Sequence, residues 1–389
     1  MKKRKVLFIN PSLCQGGIEH YQIQMLNMLD KEKFDITLFQ YLDDITLLPL
    51  VPEGVKVIID KDENHYHRKL RAIGLHIKKK LCTALGFNKL SKKYEELLRE
   101  YIHDQKMMHP ARDIFSREKF DVVVANAVGR AMEIALNISA DKYFVFFHSS
   151  LDLHHDLLEK LFPKFDGIVA VSPGVREMLR ESYPEVKEKI LLLENYVDAQ
   201  NILEKAKKHS EYEFKNNEIM ICSCGRLSLE KGFDLAVETA RILNEKKYRF
   251  KWYFIGDGVE RKRLEKEIAR YSLEKQIIIT GYMDNPFRVM KLCDIYVQPS
   301  YEESYGRTIK EAIILGCPVV STSTVGGKTL IKDRKNGILT EISAEGLANG
   351  IELFLQDEVL RKKCKDAYSI EQNEQERELF RKGLEEILS

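Results

Sequence analysis

The sequence predicts an α/β protein made of two doubly wound parallel-sheet domains. Three observations predict it. Short apolar runs of strand length alternate with helical patterns along the whole chain. The runs fall into two sets, each large enough for its own sheet. At 389 residues the chain is too long for one ordinary core and long enough for two.

The first set reads KVLFIN from Lys5, ITLFQY from Ile36, VKVIID from Val55, DVVVAN from Asp121, YFVFFH from Tyr143, GIVAVS from Gly167 and ILLLEN from Ile190. The second reads IMICSCGR from Ile219, FKWYFIGDG from Phe250, QIIITGY from Gln276, DIYVQPS from Asp294, CPVVST from Cys317 and NGILT from Asn336. Between the sets, at Asn195 to Asn201, NYVDAQN gives way to a charged helix expected to run to about Glu213. The expected domains are therefore 1–197 and 198–369. A last helical stretch, Val359 to Leu388, is expected to pack back on the first domain through its part from about 370 to 389. Ligands of open α/β sheets bind beyond the carboxyl ends of the strands, so a cleft between the two sheets is expected. The polar and glycine-rich stretches occur at those ends: Asn10 to Gly17, His148, Gly225-Arg226, Gly256 to Gly258, and Ser300 to Gly306.

Composition narrows the function classes. With 62 Lys and Arg against 60 Asp and Glu, net charge gives no reason to expect nucleic acid as a partner. The seven cysteines form no CxxC pair and no metal-ligand spacing with His, so they read as reduced, mostly buried thiols, and no metal site is expected. Cys222 and Cys224 share one strand face as small core residues. MKKRKVLFIN reads as a first strand, too short in its apolar part for a signal peptide. No apolar run approaches the roughly 18 residues of a membrane span, which predicts a soluble, cytoplasmic protein. One stretch departs from the charge balance. His65 to Tyr94 holds no acidic residue but gathers Arg68, Lys69, Arg71, Lys78, Lys79, Lys80, Lys89, Lys92 and Lys93, with Leu70, Ile73, Ile77, Leu81 and Leu85 at helical spacing. Such a basic amphipathic helix suits the anionic inner face of a cell membrane; a solvated helix face is the alternative.

The chemistry is clearest in YEESYGRTIKEAIILGCPVV, from Tyr301. Apolar periodicity predicts a helix over Tyr305 to Leu315, ended by Gly316 and Pro318 ahead of a buried strand. Glu303 then sits on a loop and Glu311 inside the helix. At 1.5 Å per residue the two carboxylates stand roughly 9–12 Å apart along one wall, about the span from a hexose to a ribose across a diphosphate. The helix start at Ser304, Tyr305 and Gly306 offers free backbone N–H groups to phosphate or sugar oxygens. CGRLSLEKGFDLAVETA, from Cys224, brings Arg226 and Lys231 to a strand end, two cations suited to a pyrophosphate. Gly16-Gly17 precede a helix with Ile18, Tyr21, Met25 and Leu29 on one face, and their amides could meet phosphate; a tight turn without a ligand is the alternative. His148 leaves a strand end where an imidazole serves sugar hydroxyls or developing charge, whereas His154 and His155 read as solvent-facing.

GR-x4-KG at Gly225 to Gly232, IGDG at Ile255 to Gly258, the E-x7-E pair, GCPVVST at Gly316 and the late NG at Asn336 together resemble family 4 of the retaining glycosyltransferases. The resemblance covers essentially the whole chain, strongest from Cys224 to Leu339. It implies a GT-B fold of two Rossmann-like domains and metal-independent transfer from a nucleotide-diphosphate sugar, a substrate, with no cofactor. By motif it implies that Arg226 and Lys231 hold the donor diphosphate, Glu303 the sugar hydroxyls and Glu311 both ribose hydroxyls. Ser304, Tyr305 and Gly306 would add amide contacts, Gly16 and Gly17 would close on the phosphates, His148 would lie beside the transferred sugar, and Gly281 and Tyr282 would meet the base. The sequence departs from the family where Leu330 replaces an acidic residue and where Ser304 and Tyr305 replace Gly and Phe. The expected activity is hexosyl transfer to a saccharide or lipid-linked hydroxyl acceptor in bacterial surface polysaccharide synthesis. A nucleotide-sugar epimerase on the same fold and a non-catalytic partner subunit are the other readings.

Overall fold

The computed structural model describes residues 2–14, 16–42, 44–60, 114–149, 155–208 and 218–389. The basic stretch His65 to Tyr94 and His154 lie outside the described residues. Each of the thirteen predicted runs falls on a strand. The first sheet contains β1 (Arg4–Asn10), β2 (Phe34–Gln40), β3 (Val55–Ile59), β4 (Phe120–Ala125), β5 (Ala140–Phe147), β6 (Gly167–Ala170) and β7 (Ile190–Leu192). The second contains β8 (Ile219–Cys224), β9 (Phe250–Ile255), β10 (Ile277–Gly281), β11 (Ile295–Gln298), β12 (Val319–Thr322) and β13 (Ile338–Thr340).

The sheet orders are β3-β2-β1-β4-β5-β6-β7 and β10-β9-β8-β11-β12-β13. In both, the first three strands of the set run outward in one direction and the next strand starts again on the other side of the first. That is the doubly wound order, with its switch points between β1 and β4 and between β8 and β11. Neighbouring strands pair in parallel, for example Phe8 with Val124 and Tyr296 with Val319. Central strands are apolar on both faces because helices cover both. Val6 to Ile9 and Val122 to Ala125 are wholly buried.

By its contacts the chain divides into two compact units, Met1–Phe146 with His154–Ile168 and Leu388–Ser389, and Phe147–Leu153 with Val169–Ile387. In the second unit the six-stranded sheet has a core on each face, as the two-residue period of a strand requires. Ile221, Trp252, Phe254 and Val297 pack under the helices Phe233–Glu245 and Ala344–Gln356. Met220, Cys222, Tyr253, Ile255 and Tyr296 pack on the other face with Ile202, Ile309 and Ile313. Cys222 is thus a core thiol, as expected, while Cys224 at the strand end is only half-buried. The described cysteines are all free.

The helical stretch expected from Val359 to Leu388 consists of two helices, Glu358–Lys365 and Ile370–Leu388, the second matching the part expected from about 370. Ser369 restarts the helix with a capping box: its Oγ accepts from Gln372 N at 3.3 Å, and Gln372 Oε1 accepts from Ser369 N at 3.4 Å. The second helix packs beside the last strand of the first sheet, with Gly383 against Leu193 and Phe380 beside Tyr196. Its anchor is Asn373, 2% exposed. The Oδ1 accepts from Tyr196 OH at 3.0 Å and Ala199 N at 3.1 Å, and the Nδ2 donates to Val197 O at 2.7 Å. One side chain thereby satisfies the buried backbone of the connection that the sequence marks as a boundary. Among the described residues the helix predicted from there covers Ala199–Lys205, capped by Asp198, whose Oδ1 accepts from Asn201 N; the expected continuation over 209–213 lies outside the described residues. Among the described residues no helix is long and apolar enough to cross a membrane.

Asn373→Ala leaves three buried polar partners without their bonds and is expected to destabilise the protein by about 1–3 kcal/mol. The check is a urea titration, in which the midpoint falls while the slope is unchanged. A midpoint equal to that of the parent protein would contradict the anchoring role.

Candidate donor-binding site

The switch point of the six-stranded sheet lies between β8 and β11, where strand ends diverge and leave room for a ligand. β8 runs out into Gly225-Arg226 and β11 into Pro299-Ser300, so the two stretches richest in candidate residues emerge side by side. The glycines of these motifs are there because backbones touch. At Gly232, φ is 63°, and a Cβ would overlap the carbonyl of Pro299. At Gly256, φ is 146°, and a Cβ would overlap the carbonyl of Gly225. The contacts are bonded as well: Gly225 N donates to Ile255 O at 3.0 Å, Leu227 N to Asp257 O at 3.0 Å, and Tyr301 N to Glu230 O at 3.0 Å. The turn carrying Arg226 is thus held by the IGDG loop, and the turn carrying Lys231 by the loop of Glu303.

Lys231 and Glu303, 72 positions apart, form an ion pair with Nζ to Oε1 at 2.7 Å. The sequence reading gave the two residues separate partners; in the free protein they are partners of each other. Glu303 is 9% exposed and needs such support, because a carboxylate removed from water is costly without paired donors. Oε1 also accepts from Gln298 Nε2 at 3.2 Å and Ser300 Oγ at 3.1 Å. The main chain of the loop is clamped too. Gly326 N donates to Glu303 O at 2.7 Å and Ser172 Oγ to Ser304 O at 2.8 Å. Arg226 is exposed at the end of β8.

The predicted helix starts two residues later than expected, at Arg307, and spans Arg307–Ile314. Gly306 takes the left-handed conformation, φ 84°, at its N-cap, with no side chain capping the first turn. The first-turn amides and the positive end of the dipole are therefore available to an anion. Glu303 lies on the loop and Glu311 in the helix, as predicted. Glu311 is 6% exposed and accepts from Arg307 Nε at 2.9 Å, one helical turn earlier. Burial pushes the Glu311 carboxyl above the usual range, opposed by the Arg307 guanidinium beside it. Tyr305 contributes main chain only, since its ring is buried in the core against that helix.

Gly281 ends β10 with φ 77°, bridged to Gly256, and Tyr282 beside it is exposed. His148 follows β5, partly buried, and desolvation pushes its imidazole down to about 3. His155 opens the helix His155–Leu161. Gly16 is the N-cap of the helix Gly17–Met28, in the first unit, and offers no side-chain cap. The second unit thus brings together Lys231 with Glu303, holds the turn of Arg226 against the loop of Gly256, and sets Glu311 one turn into the helix that follows. The reading missed Gln298, Thr308, Arg307 and Ser172, and it named Ser300 only as the start of a stretch. A signal for the first was present: Gln298 is an amide at the end of the otherwise apolar run IYVQ, where a core residue is expected.

The profile of the family described as Glycosyl transferases group 1 matches residues 204–369, the stretch that holds these loops. The chain is 26% identical over 364 residues, 91% of each chain, to the N-acetylgalactosamine-N,N'-diacetylbacillosaminyl-diphospho-undecaprenol 4-alpha-N-acetylgalactosaminyltransferase of Campylobacter jejuni subsp. jejuni. It is 30% identical over 257 residues, 66% of this chain and 70% of the relative, to the lipopolysaccharide core biosynthesis glycosyltransferase LpsE of Rhizobium meliloti. Among solved structures, HepE of Anabaena in complex with UDP superposes with a TM-score of 0.69 at 18% identity, over 99% of both chains. On its motifs, its two doubly wound sheets and these relatives, the chain belongs to the group 1, family 4-type glycosyltransferases of the GT-B fold.

Proposed function

We propose that this glycosyltransferase moves a hexose-type sugar from a nucleotide-diphosphate sugar to a hydroxyl of a saccharide or lipid-linked acceptor, with retention at the anomeric carbon, in bacterial surface polysaccharide synthesis. The observation that carries the reading is the Lys231–Glu303 ion pair at the sheet's switch point, its carboxylate buried and its ammonium partly exposed. It sets a cation for a leaving diphosphate against a carboxylate for a sugar.

In this reading the anomeric C–O bond to the diphosphate breaks while the acceptor hydroxyl bonds the same carbon from the same face. The hydroxyl proton passes to the departing phosphate oxygen. Charge grows on the diphosphate as the bond lengthens, and Lys231, Arg226 and the free amides after Gly306 stabilise it more in the transition state than in the ground state. Glu303 keeps Oε2 for sugar hydroxyls while Oε1 stays with its internal donors. Glu311 turns from Arg307 toward the ribose. Metal independence follows from the two cations, which supply the positive charge a divalent ion would otherwise provide. Uridine is the base we assign first, because the solved structures of HepE are complexes with UDP and with UDP-glucose. The acceptor class is supported by the Campylobacter relative, whose name specifies a diphospho-undecaprenol saccharide and an alpha linkage.

A thermal-shift screen of UDP, GDP, ADP and their sugar conjugates tests the donor, since a ligand bound only by the folded state raises the melting temperature. A rise with UDP conjugates is expected; no rise with any of them would refute the donor assignment. Release of an isomer or free sugar with no need of acceptor would identify an epimerase instead. Lys231→Ala should slow transfer roughly 10²–10³-fold, the scale for one lost transition-state charge stabiliser. Near-normal turnover in that variant removes the diphosphate role. Turnover in excess EDTA should equal that in untreated enzyme, and a loss restored by added Mg²⁺ would contradict metal independence.

His148 gives a pH prediction. Its folded value, about 3, lies below the ordinary 6.5, so the neutral ring is favoured in the folded state. The resulting stability is fully present above 6.5 and is lost as pH falls through that value toward 3. The advantage of the parent protein over His148→Gln in urea midpoint should therefore shrink below about pH 6.5, and the ring's NMR signals should stay fixed from pH 8 to 5. Titration of those signals near 6.5 would refute the neutral-ring assignment.

A further inference from the structure

Gln298 ends β11 with 2% exposure, following Ile295, Tyr296 and Val297, all fully buried. A buried amide costs stability unless its two acceptor and two donor positions are all used. Here all four are. The Oε1 accepts from Tyr296 OH at 2.6 Å and from Thr308 Oγ1 at 2.9 Å. The Nε2 donates to Ser300 Oγ at 2.8 Å and to Glu303 Oε1 at 3.2 Å.

The direction of every proton in this network follows from the carboxylate. Glu303, paired to an ammonium, only accepts, so the NH2 of Gln298 must face it. The amide oxygen then faces two hydroxyls, which must donate. Ser300 accepts from Gln298 and so passes its own proton to Glu303 at 3.1 Å. All hydrogens run from Tyr296 and Thr308 through Gln298 and Ser300 to one oxygen, where Lys231 adds the last donor. Such one-way chains polarise each other, and the bond from Tyr296 OH to Gln298, at 2.6 Å, is much shorter than its alternative to Cys224 O at 3.4 Å.

Thr308 lies in the first turn of the helix that carries Glu311, whereas Glu303 lies on the loop before it. One amide therefore touches both. We propose that Gln298 is a positioning residue of the transfer reaction, whose amide locks the rotamer of Glu303 and the start of the Glu311 helix in one register, so that Oε2 of Glu303 faces the donor sugar before the donor arrives. This rests on the reading that Glu303 meets the sugar. A misplacement of about 1 Å costs on the order of 10² in rate when geometry is preset, and that sets the expected scale.

The test uses Gln298→Met, which keeps length and loses all four bonds, together with Thr308→Val, the double variant and Glu303→Gln. The probes are UDP and its conjugates with glucose, galactose, N-acetylglucosamine and N-acetylgalactosamine. Affinity is read by titration and turnover as UDP release. For Gln298→Met we expect kcat to fall about 10–100-fold, with affinity for UDP within about threefold, because Glu303 faces the sugar while the helix of Glu311, which meets UDP, keeps its other brace from Lys310 to Glu376. Thr308→Val should act in the same direction but less, and the double variant should be no slower than Gln298→Met, since both remove one network. A general loss of structure would instead lower UDP affinity and kcat together and make the two substitutions additive, and either result overturns the proposal. If Gln298→Met does not fold, Thr308→Val alone must show the kcat loss at constant UDP affinity. A Glu303→Gln variant that is impaired while Gln298→Met is not overturns the positioning role alone. Full activity in Glu303→Gln overturns the reading beneath it.

Discussion

The switch-point end of the six-stranded sheet depends on how one carboxylate oxygen is held. Oε1 of Glu303 receives the Lys231 ammonium from the turn after β8, and the Gln298 amide and the Ser300 hydroxyl from the end of β11. Burying a carboxylate is tolerable only with this much compensation, and the compensation has structural consequences. The turn after β8 must come close enough for Lys231 to reach, and β11 must end in polar residues. The helix start must stand where Thr308 can reach Gln298. Each requirement fixes a backbone position that a ligand would also read.

Those positions explain the glycines. A side chain at Gly232 would strike the turn after β11, and one at Gly256 would strike the turn that carries Arg226. Both residues permit the strand ends of β8, β9 and β11 to lie backbone against backbone. The cations and carboxylates can then be placed by rigid elements, with loops only a few residues long between them. The two glutamates are held differently. Glu303 is anchored from below by the sheet, and Glu311 by Arg307 on its own helix, a contact that travels with the helix. Burial raises the Glu311 carboxyl, and Arg307 opposes that effect.

A second region of the same unit works by the same physics without any charge. Asn373 satisfies the backbone at Val197 and Ala199 and the hydroxyl of Tyr196. The connection between the strand sets is thus tied to the last helix at its buried residues Tyr196, Val197 and Ala199. Lys310, next to Glu311 in sequence, bonds Glu376 on that helix at 2.6 Å, so the helix carrying Glu311 is also braced against the C-terminal helix.

The strand sets and the family motifs were legible in the sequence, because they are local properties. Apolar runs declare strands, glycines declare turns, and GR-x4-KG or E-x7-E are short enough to be recognised in order. The helix start was misplaced by two residues because Gly306 in the left-handed conformation shifts the cap past the apolar period. The returning helix was marked from about residue 370, and the Ser369–Gln372 capping box is the physical start of it within the longer helical pattern from Val359. Pairing across long separations was not legible. Nothing in the sequence says that Lys231 meets Glu303, or that an amide in IYVQPS is saturated by Tyr296, Thr308, Ser300 and Glu303. Those bonds exist only once the strand order has set β8 beside β11, since hydrogen bonds and ion pairs act over a few ångströms and sequence distance does not encode them.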